Sequence, residues 1–194
     1  MIKLKNLKGL SGCLIELMED ANGKNYVKKT SASLAYNNRL ELQVEKQRSF
    51  KNDHIKAPAI FDTGYDEKGL FFCLMEYVHG VNFTEYLNLY SFKDSLDLFY
   101  TLLNSISGTL NAPESNDSAQ KVSAKISELS AKNIGHDGLL AYLQNNIPQH
   151  IPCAGTHGDF TFENILVSHD KQLYFIDFLD SFIDSPYIDL GKIN

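Results

Sequence analysis

His157, Gly158 and Asp159 are followed by Asn164 five positions after the Asp, and Asp177 stands thirteen positions beyond that Asn. Asp177 closes the apolar run Leu173-Tyr174-Phe175-Ile176. These are the groups that phosphoryl transfer from ATP to a hydroxyl requires. One carboxylate orients the attacking oxygen, while an amide oxygen and a second carboxylate hold Mg²⁺ on the phosphates. Asp159 is thus the candidate for the group that aligns the acceptor hydroxyl and takes its proton late. Asn164 and Asp177 supply the oxygen ligands that a hard cation prefers. A charge at the end of an apolar strand also calls for a partner, because isolated buried carboxylates are costly. His157 reads as a hydrogen-bonding scaffold for the loop, since no third ligand stands at a zinc-like spacing.

A triphosphate also needs cationic and backbone donors, and the N-terminal region offers both. Gly9-Leu10-Ser11-Gly12 lies between two strand-like segments, so the loop amides and the Ser11 hydroxyl can approach an anion without side-chain obstruction. Tyr26-Val27-Lys28-Lys29 ends the third strand with two lysines, where a kinase lysine meets the α- and β-phosphates. Alternation puts Lys29 on the face of Val27 and Lys28 on the face of Tyr26. A small apolar neighbour suits an adenine slot, which favours Lys29. Its expected partner is a helix carboxylate, Glu41 or Glu45. The two are four residues apart and share a helical face, and Glu45 is preferred for lying deeper in the helix. Met75-Glu76-Tyr77-Val78-His79-Gly80 ends a strand where a hinge is expected. There Met75 backs the adenine pocket, the Glu76 carbonyl and Val78 amide meet the base, and Gly80 permits a bend.

The elements that carry these groups follow from periodicity and turn chemistry. Strands are expected around Leu4, over 13–18, 25–30, 59–64 and 70–77, with turns at Asp20–Gly23 and Asp66–Gly69. A helix is expected over 34–51, with apolar Leu34, Leu40, Val44 and Phe50 among charges. Beyond Gly80 the pattern turns helical over 83–89, 92–110, 118–132 and 138–145. Strands return at 165–168 and 173–177, and 112–118 is the most loop-like stretch. The expected architecture is α+β and bilobal. Residues 1–79 form a small nucleotide-binding lobe with one long helix, and 80–194 a helical lobe with the catalytic loop and metal-binding hairpin.

Composition narrows the partners. With 194 residues, 43% of them hydrophobic, the chain buries a real core in one domain or two small lobes. A net charge of −6 without a basic block speaks against nucleic acid, and Lys46, Arg48 and Lys51 read as a solvated helix face. Cys13, Cys73 and Cys153 are odd in number and widely spaced, as expected of reduced cytosolic thiols. No run approaches the ~20 apolar residues of a membrane span. The chemistry, compartment and charge together describe a cytoplasmic enzyme.

Taken in order, Gly9–Gly12, Tyr26–Lys29, Met75–Gly80, His157–Asn164, Ile176-Asp177-Phe178 and Asp189-Leu190-Gly191 resemble the aminoglycoside phosphotransferase/choline kinase-like family, which has a protein-kinase-like fold. The His-Gly-Asp form separates the chain from protein kinases, whose loop reads His-Arg-Asp. Leu179 also follows Asp177-Phe178 where those kinases have Gly. The resemblance implies ATP and Mg²⁺ as cofactors and a small hydroxylated acceptor such as a sugar, amino sugar or choline-like alcohol. It also implies that Asp189 braces the catalytic loop. Residues 38–47 and 177–184 are further similar to bacterial phosphotransferases associated with surface polysaccharide. Family members continue well past the metal-binding Asp, whereas this sequence stops at Asn194. The expectation is a short acceptor side, completed by a partner chain or a missing C-terminal segment. Asp180 and Asp184 offer charge to a cationic acceptor or are solvated. Two rival readings are a nucleotide-binding pseudokinase and a protein Ser/Thr kinase.

Overall fold

The computed structural model describes residues 1–9, 11–113 and 117–192. Leu10 of the glycine loop and residues 114–116 of the loop-like stretch lie outside the described residues. Strands β1 (Ile2–Asn6), β2 (Leu14–Glu19) and β3 (Asn25–Thr30) form an antiparallel meander. Helix α1 (Asn37–Ser49) follows a short 3₁₀ turn at Leu34–Tyr36. Next come β4 (Ile55–Lys56), β5 (Ile60–Tyr65) and β6 (Phe71–Glu76), and the five-stranded sheet is ordered β1-β2-β3-β6-β5. The inward stripe of α1, Leu40 and Val44, packs with Cys13, Phe71, Cys73 and Met75 of this sheet.

The second sheet is ordered β4-β9-β8-β7, from β7 (Gly80–Asn82), β8 (Ile165–Ser168) and β9 (Leu173–Phe175). Around it lie α2 (Phe83–Leu89), α3 (Phe92–Ser107), α4 (Ser118–Ala131), α5 (Asp137–Asn145) and α6 (Pro186–Leu190). Helices α2 and α3 begin on side-chain caps, with Asn82 accepting from Glu85 N and Ser91 from Asp94 N. Their apolar faces bury Phe83, Leu98 and Leu102 against Ile165, Val167 and Phe175.

The periodic elements lie within a few residues of their sequence-based bounds. The elements not foreseen, β4, β7 and α6, have two, three and five residues. No repeat can show in so short a segment, and their partners define them. Residues 55–56, expected to be loop, pair in parallel with Leu173 and Tyr174. Gly80 serves differently from the expected bend. It pairs with Ser168, and a Cβ there would lie 2.1 Å from Val167 O. Glycine is needed because β7 and β8 approach too closely for a side chain.

Candidate active site

The loop at His157–Asn164 is built from the buried histidine outward. His157 has no exposed surface and packs between Phe175 and Phe178. Its Nδ1 accepts from Asp159 N at 3.2 Å, so the proton resides on Nε2, which donates to Ile176 O at 2.6 Å. Burial pushes the imidazole down to about 4, so it is neutral near pH 7. The backbone amides of His157 and Gly158 both donate to Asp189, at 2.8 and 2.7 Å. Burial raises the Asp189 carboxyl above its usual value, and those amide bonds pull in the opposite direction. Gly158 is required twice over. Its φ is +87°, and a Cβ would sit 2.6 Å from both Leu179 O and Ser181 Oγ.

That scaffold sets the positions of the candidate groups. Asn164 Nδ2 donates to the backbone oxygen and to Oδ2 of Asp159, each at 3.0 Å. Among the described residues Asn164 Oδ1 has no hydrogen-bond partner. Asn164 O in turn accepts from Ile176 N at 3.0 Å. Both backbone groups of Ile176 are therefore held, one by Asn164 and one by His157. Asp177 emerges next with φ +58°, a left-handed conformation that Asp tolerates better than most residues and that its surroundings must impose. Lys192 Nζ stands 3.3 Å from Asp159 Oδ1.

Lys29 Nζ reaches Asp177 Oδ1 at 2.7 Å, with only 7% of the lysine side chain exposed. Burial pulls the ammonium pKa down, but the charge and hydrogen bond of Asp177 outweigh it and leave it above the ordinary lysine value. Lys28 turns to the opposite face, with Nζ 4.6 Å from the ring centre of Phe72. Lys29 and Asp177 wall a cavity of about 250 Å³ together with Val27, Met75, Glu76, Tyr77 and Val78. The strand-end segment thus lies against the same space as the lysine. A second, more open cleft of about 650 Å³ runs along Gly158, Leu179, Phe182, Tyr187 and Lys192. Asp159 lines neither space; it is bonded to Asn164 and ion-paired to Lys192, which lines the open cleft.

Three expectations are corrected. Glu45 lies away from Lys29 and pairs with Arg48 at 2.6 Å, with 66% of its side chain exposed. Glu41 also points outward, to the hydroxyl of Tyr65. The helix stripe that faces the cavity is Leu40, Gln43, Val44 and Gln47, and both glutamates fall outside that phase. Gly9, Ser11 and Gly12 are exposed and stand outside the cavity wall, which takes Leu7, Lys8 and Ile15 from either side of their loop. Ser11 Oγ accepts from Cys13 N at 3.4 Å. Lys46 leaves the expected solvated cluster, because it bonds Leu179 O at 2.8 Å and Asp184 at 2.5 Å.

Arg39 likewise meets Asp180 at 3.1 Å. Both acids offered to a cationic acceptor are thereby occupied by α1, which ties that helix to the segment after Asp177. Spacing carried a signal for this. Arg39 and Lys46 lie two helical turns apart on one face, and Asp180 and Asp184 are four residues apart. Gln43 and Lys192 had no comparable mark.

As metal ligands, Asn164 Oδ1 and Asp177 fit Mg²⁺, which takes one or two protein oxygens and fills its octahedron with phosphate and water. Among the described residues there is no cluster of three or more His, Cys, Asp or Glu that could hold a metal by itself. A site completed by the phosphates of a bound nucleotide would not need one.

The phosphotransferase enzyme family (APH) has a family model that matches residues 16–193, and the chain belongs to that family. Among solved structures, it is similar to a thermostable mutant of aminoglycoside phosphotransferase APH(4)-Ia in its apo form. The TM-score is 0.59 at 15% identity, covering 98% of this chain and 71% of that one. It is also similar to a putative fructosamine-3-kinase from Haemophilus somnus 129PT. There the TM-score is 0.61 at 14% identity, covering 92% of this chain and 66% of that one. The fold is therefore the mixed α+β, kinase-like fold of these proteins. No curated protein matches the chain. No helix among the described residues is long and apolar enough to cross a membrane.

Proposed function

We propose that the chain is an ATP- and Mg²⁺-dependent phosphotransferase that moves the γ-phosphoryl group to a hydroxyl of a small molecule. A sugar, amino sugar or choline-like alcohol is the expected acceptor class. The observation that carries this reading is the convergence of Lys29 and Asp177 at 2.7 Å on the cavity wall, with Asp159 and Asn164 bonded to each other at 3.0 Å on the adjoining loop. The adenine lies between Val27 and Met75, against the backbone of Glu76 to Val78. Lys29 meets the phosphates. Bound Mg²⁺, held by Asn164 Oδ1 and Asp177, supplies charge neutralisation across the phosphates. Asp159 orients the acceptor hydroxyl and takes its proton, and Lys192 yields to the acceptor as it enters from the open cleft. Rate enhancement then comes from positioning and fixed charge. The three cysteines are all free thiols, which supports a cytoplasmic setting.

A second reading, a nucleotide-binding module without transfer activity, draws support from the helix stripe. No carboxylate from α1 meets Lys29. One experiment separates the two: ADP release with Mg²⁺-ATP over a panel of sugars, aminoglycosides, choline and amino alcohols. Acceptor-stimulated release is expected. Measurable ATP binding with no stimulation by any acceptor would establish the binding module instead, and phosphorylation of a protein substrate alone would establish a protein kinase.

A further inference from the structure

The cavity-facing stripe of α1 contains two amides, and they are in different states. Gln47 is committed, with Nε2 donating to Pro58 O at 2.7 Å. Gln43 is 4% exposed, and its Nε2 is fully buried with no acceptor among the described residues. No hydrogen bond to its Oε1 is formed among the described residues, and the side chain lines the cavity with Lys29 and Asp177. A buried unpaired amide costs stability, and a leucine of nearly the same shape would avoid that cost. Buried polar groups left unmatched in one state are commonly matched in another.

Lys29 has such a second state. The ammonium carries three donors, and Asp177 Oδ1 is its single partner among the described residues. When Asp177 turns to a metal ion, that partner is lost while the ammonium stays buried. Kinases meet this need with a helix glutamate. Here Glu41 and Glu45 face away, and Gln43 is the uncommitted polar side chain that α1 presents.

We propose that Gln43 is the positioning residue for Lys29 in the metal-loaded state, its Oε1 accepting from Nζ once Asp177 is engaged by Mg²⁺. The inference rests on the nucleotide-site reading above. The arrangement gives this site a neutral amide where a carboxylate would offset the lysine's charge, so the whole charge of Lys29 is directed at the phosphates. In this structure the lysine is bonded to Asp177, and the pair must separate for metal and nucleotide both to be seated.

The test is ADP affinity by titration calorimetry, with Mg²⁺ and with the metal removed by chelator, together with the melting temperature of the ligand-free protein. Gln43→Leu should weaken Mg²⁺-ADP binding about tenfold, the worth of one hydrogen bond to a charged group. It should leave metal-free ADP within about twofold, because Asp177 then still holds the lysine. The same variant should melt no lower than wild type, having lost a buried unpaired donor. Gln43→Glu should restore Mg²⁺-ADP affinity to within a few-fold of wild type. Equal weakening with and without metal, no weakening at all, or a lowered melting temperature for Gln43→Leu would overturn the proposal. Failure of the wild-type protein to bind ADP under either condition would instead sink the nucleotide site itself, and it would show before any variant is made.

Discussion

Helix α1 walls the cavity directly, while the His157–Asn164 loop holds Ile176 of the same wall, and the two are specified in different ways. From His157 to Asn164 the groups are few residues apart and lock to one another through backbone bonds. His157 Nδ1 takes the Asp159 amide, Asn164 takes the Asp159 carboxylate, and Ile176 is held from both sides. Spacing there is nearly geometry. Helix α1 has its face chosen by what it packs on. A rotation of one residue about its axis decides whether Glu45 or Val44 looks inward. Cys73 and Met75 settle the matter for Val44. Local loops fix side chains by sequence distance, whereas helices fix them by burial.

That contrast can be broken most decisively at Asp159. Asp159→Asn should cut acceptor-dependent ADP release by about 10³-fold, within the usual range for a lost general base, while nucleotide affinity by calorimetry changes by less than about threefold. A comparable loss of affinity would mean that the loop carries binding as well as chemistry.

The next largest effect belongs to the brace. Asp189→Ala leaves two buried amides, those of His157 and Gly158, without an acceptor. It should lower unfolding stability by about 3 kcal/mol in a urea titration. A loss below about 1 kcal/mol would show the loop to be held by packing alone.

His157 provides a similar test without mutation. Its folded pKa is depressed to about 4 from 6.5. The unfolded chain therefore binds the proton more readily, and stability falls as pH drops from about 6.5 toward 4, levelling once the native ring also protonates. The slope integrates to about 3 kcal/mol. His157→Phe should flatten this part of the pH profile, whatever it does to absolute stability. An unchanged profile in the variant would move the effect to other groups.

Smaller still is the change expected from the lysines. Lys28→Ala removes a contact with Phe72 on the far face and should shift Kd for Mg²⁺-ADP by less than about threefold. Lys29→Met should shift it by more than about tenfold. Similar shifts for the two would contradict the strand alternation that separates them.

The smallest effect is at Glu45. Because its one ion pair among the described residues is an exposed one with Arg48, Glu45→Ala should leave the nucleotide Kd within about twofold of wild type. A large loss would restore the helix carboxylate to the lysine and remove the case for Gln43.

Much of the fold was legible because the longer elements carry their own periodicity. Residues 83–89 and 165–168 are bounded as read, with Gly80 and Asn82 before one and the Asp170–Lys171 turn after the other. Segments of two or three residues, such as Ile55–Lys56, are strands only because Leu173 and Tyr174 lie beside them. The site divides along the same line. Asp159, Asn164 and Asp177 are candidates by type and spacing, and alternation in β3 separates Lys29, which walls the cavity with Asp177, from Lys28, which lies over Phe72. The partner of Lys29, the bonds of half-buried Lys46 to Leu179 and Asp184, and the approach of Lys192 to Asp159 all join residues more than thirty positions apart.

The amino-acid order thus determined which candidate groups the chain carries, and in what sequence they meet its turns and strands. Only the tertiary structure decided which charges neutralise each other. Burial selects the face of α1, and a buried lysine must take whatever acceptor the packing leaves within reach. Here that acceptor is Asp177, with Gln43 uncommitted beside it.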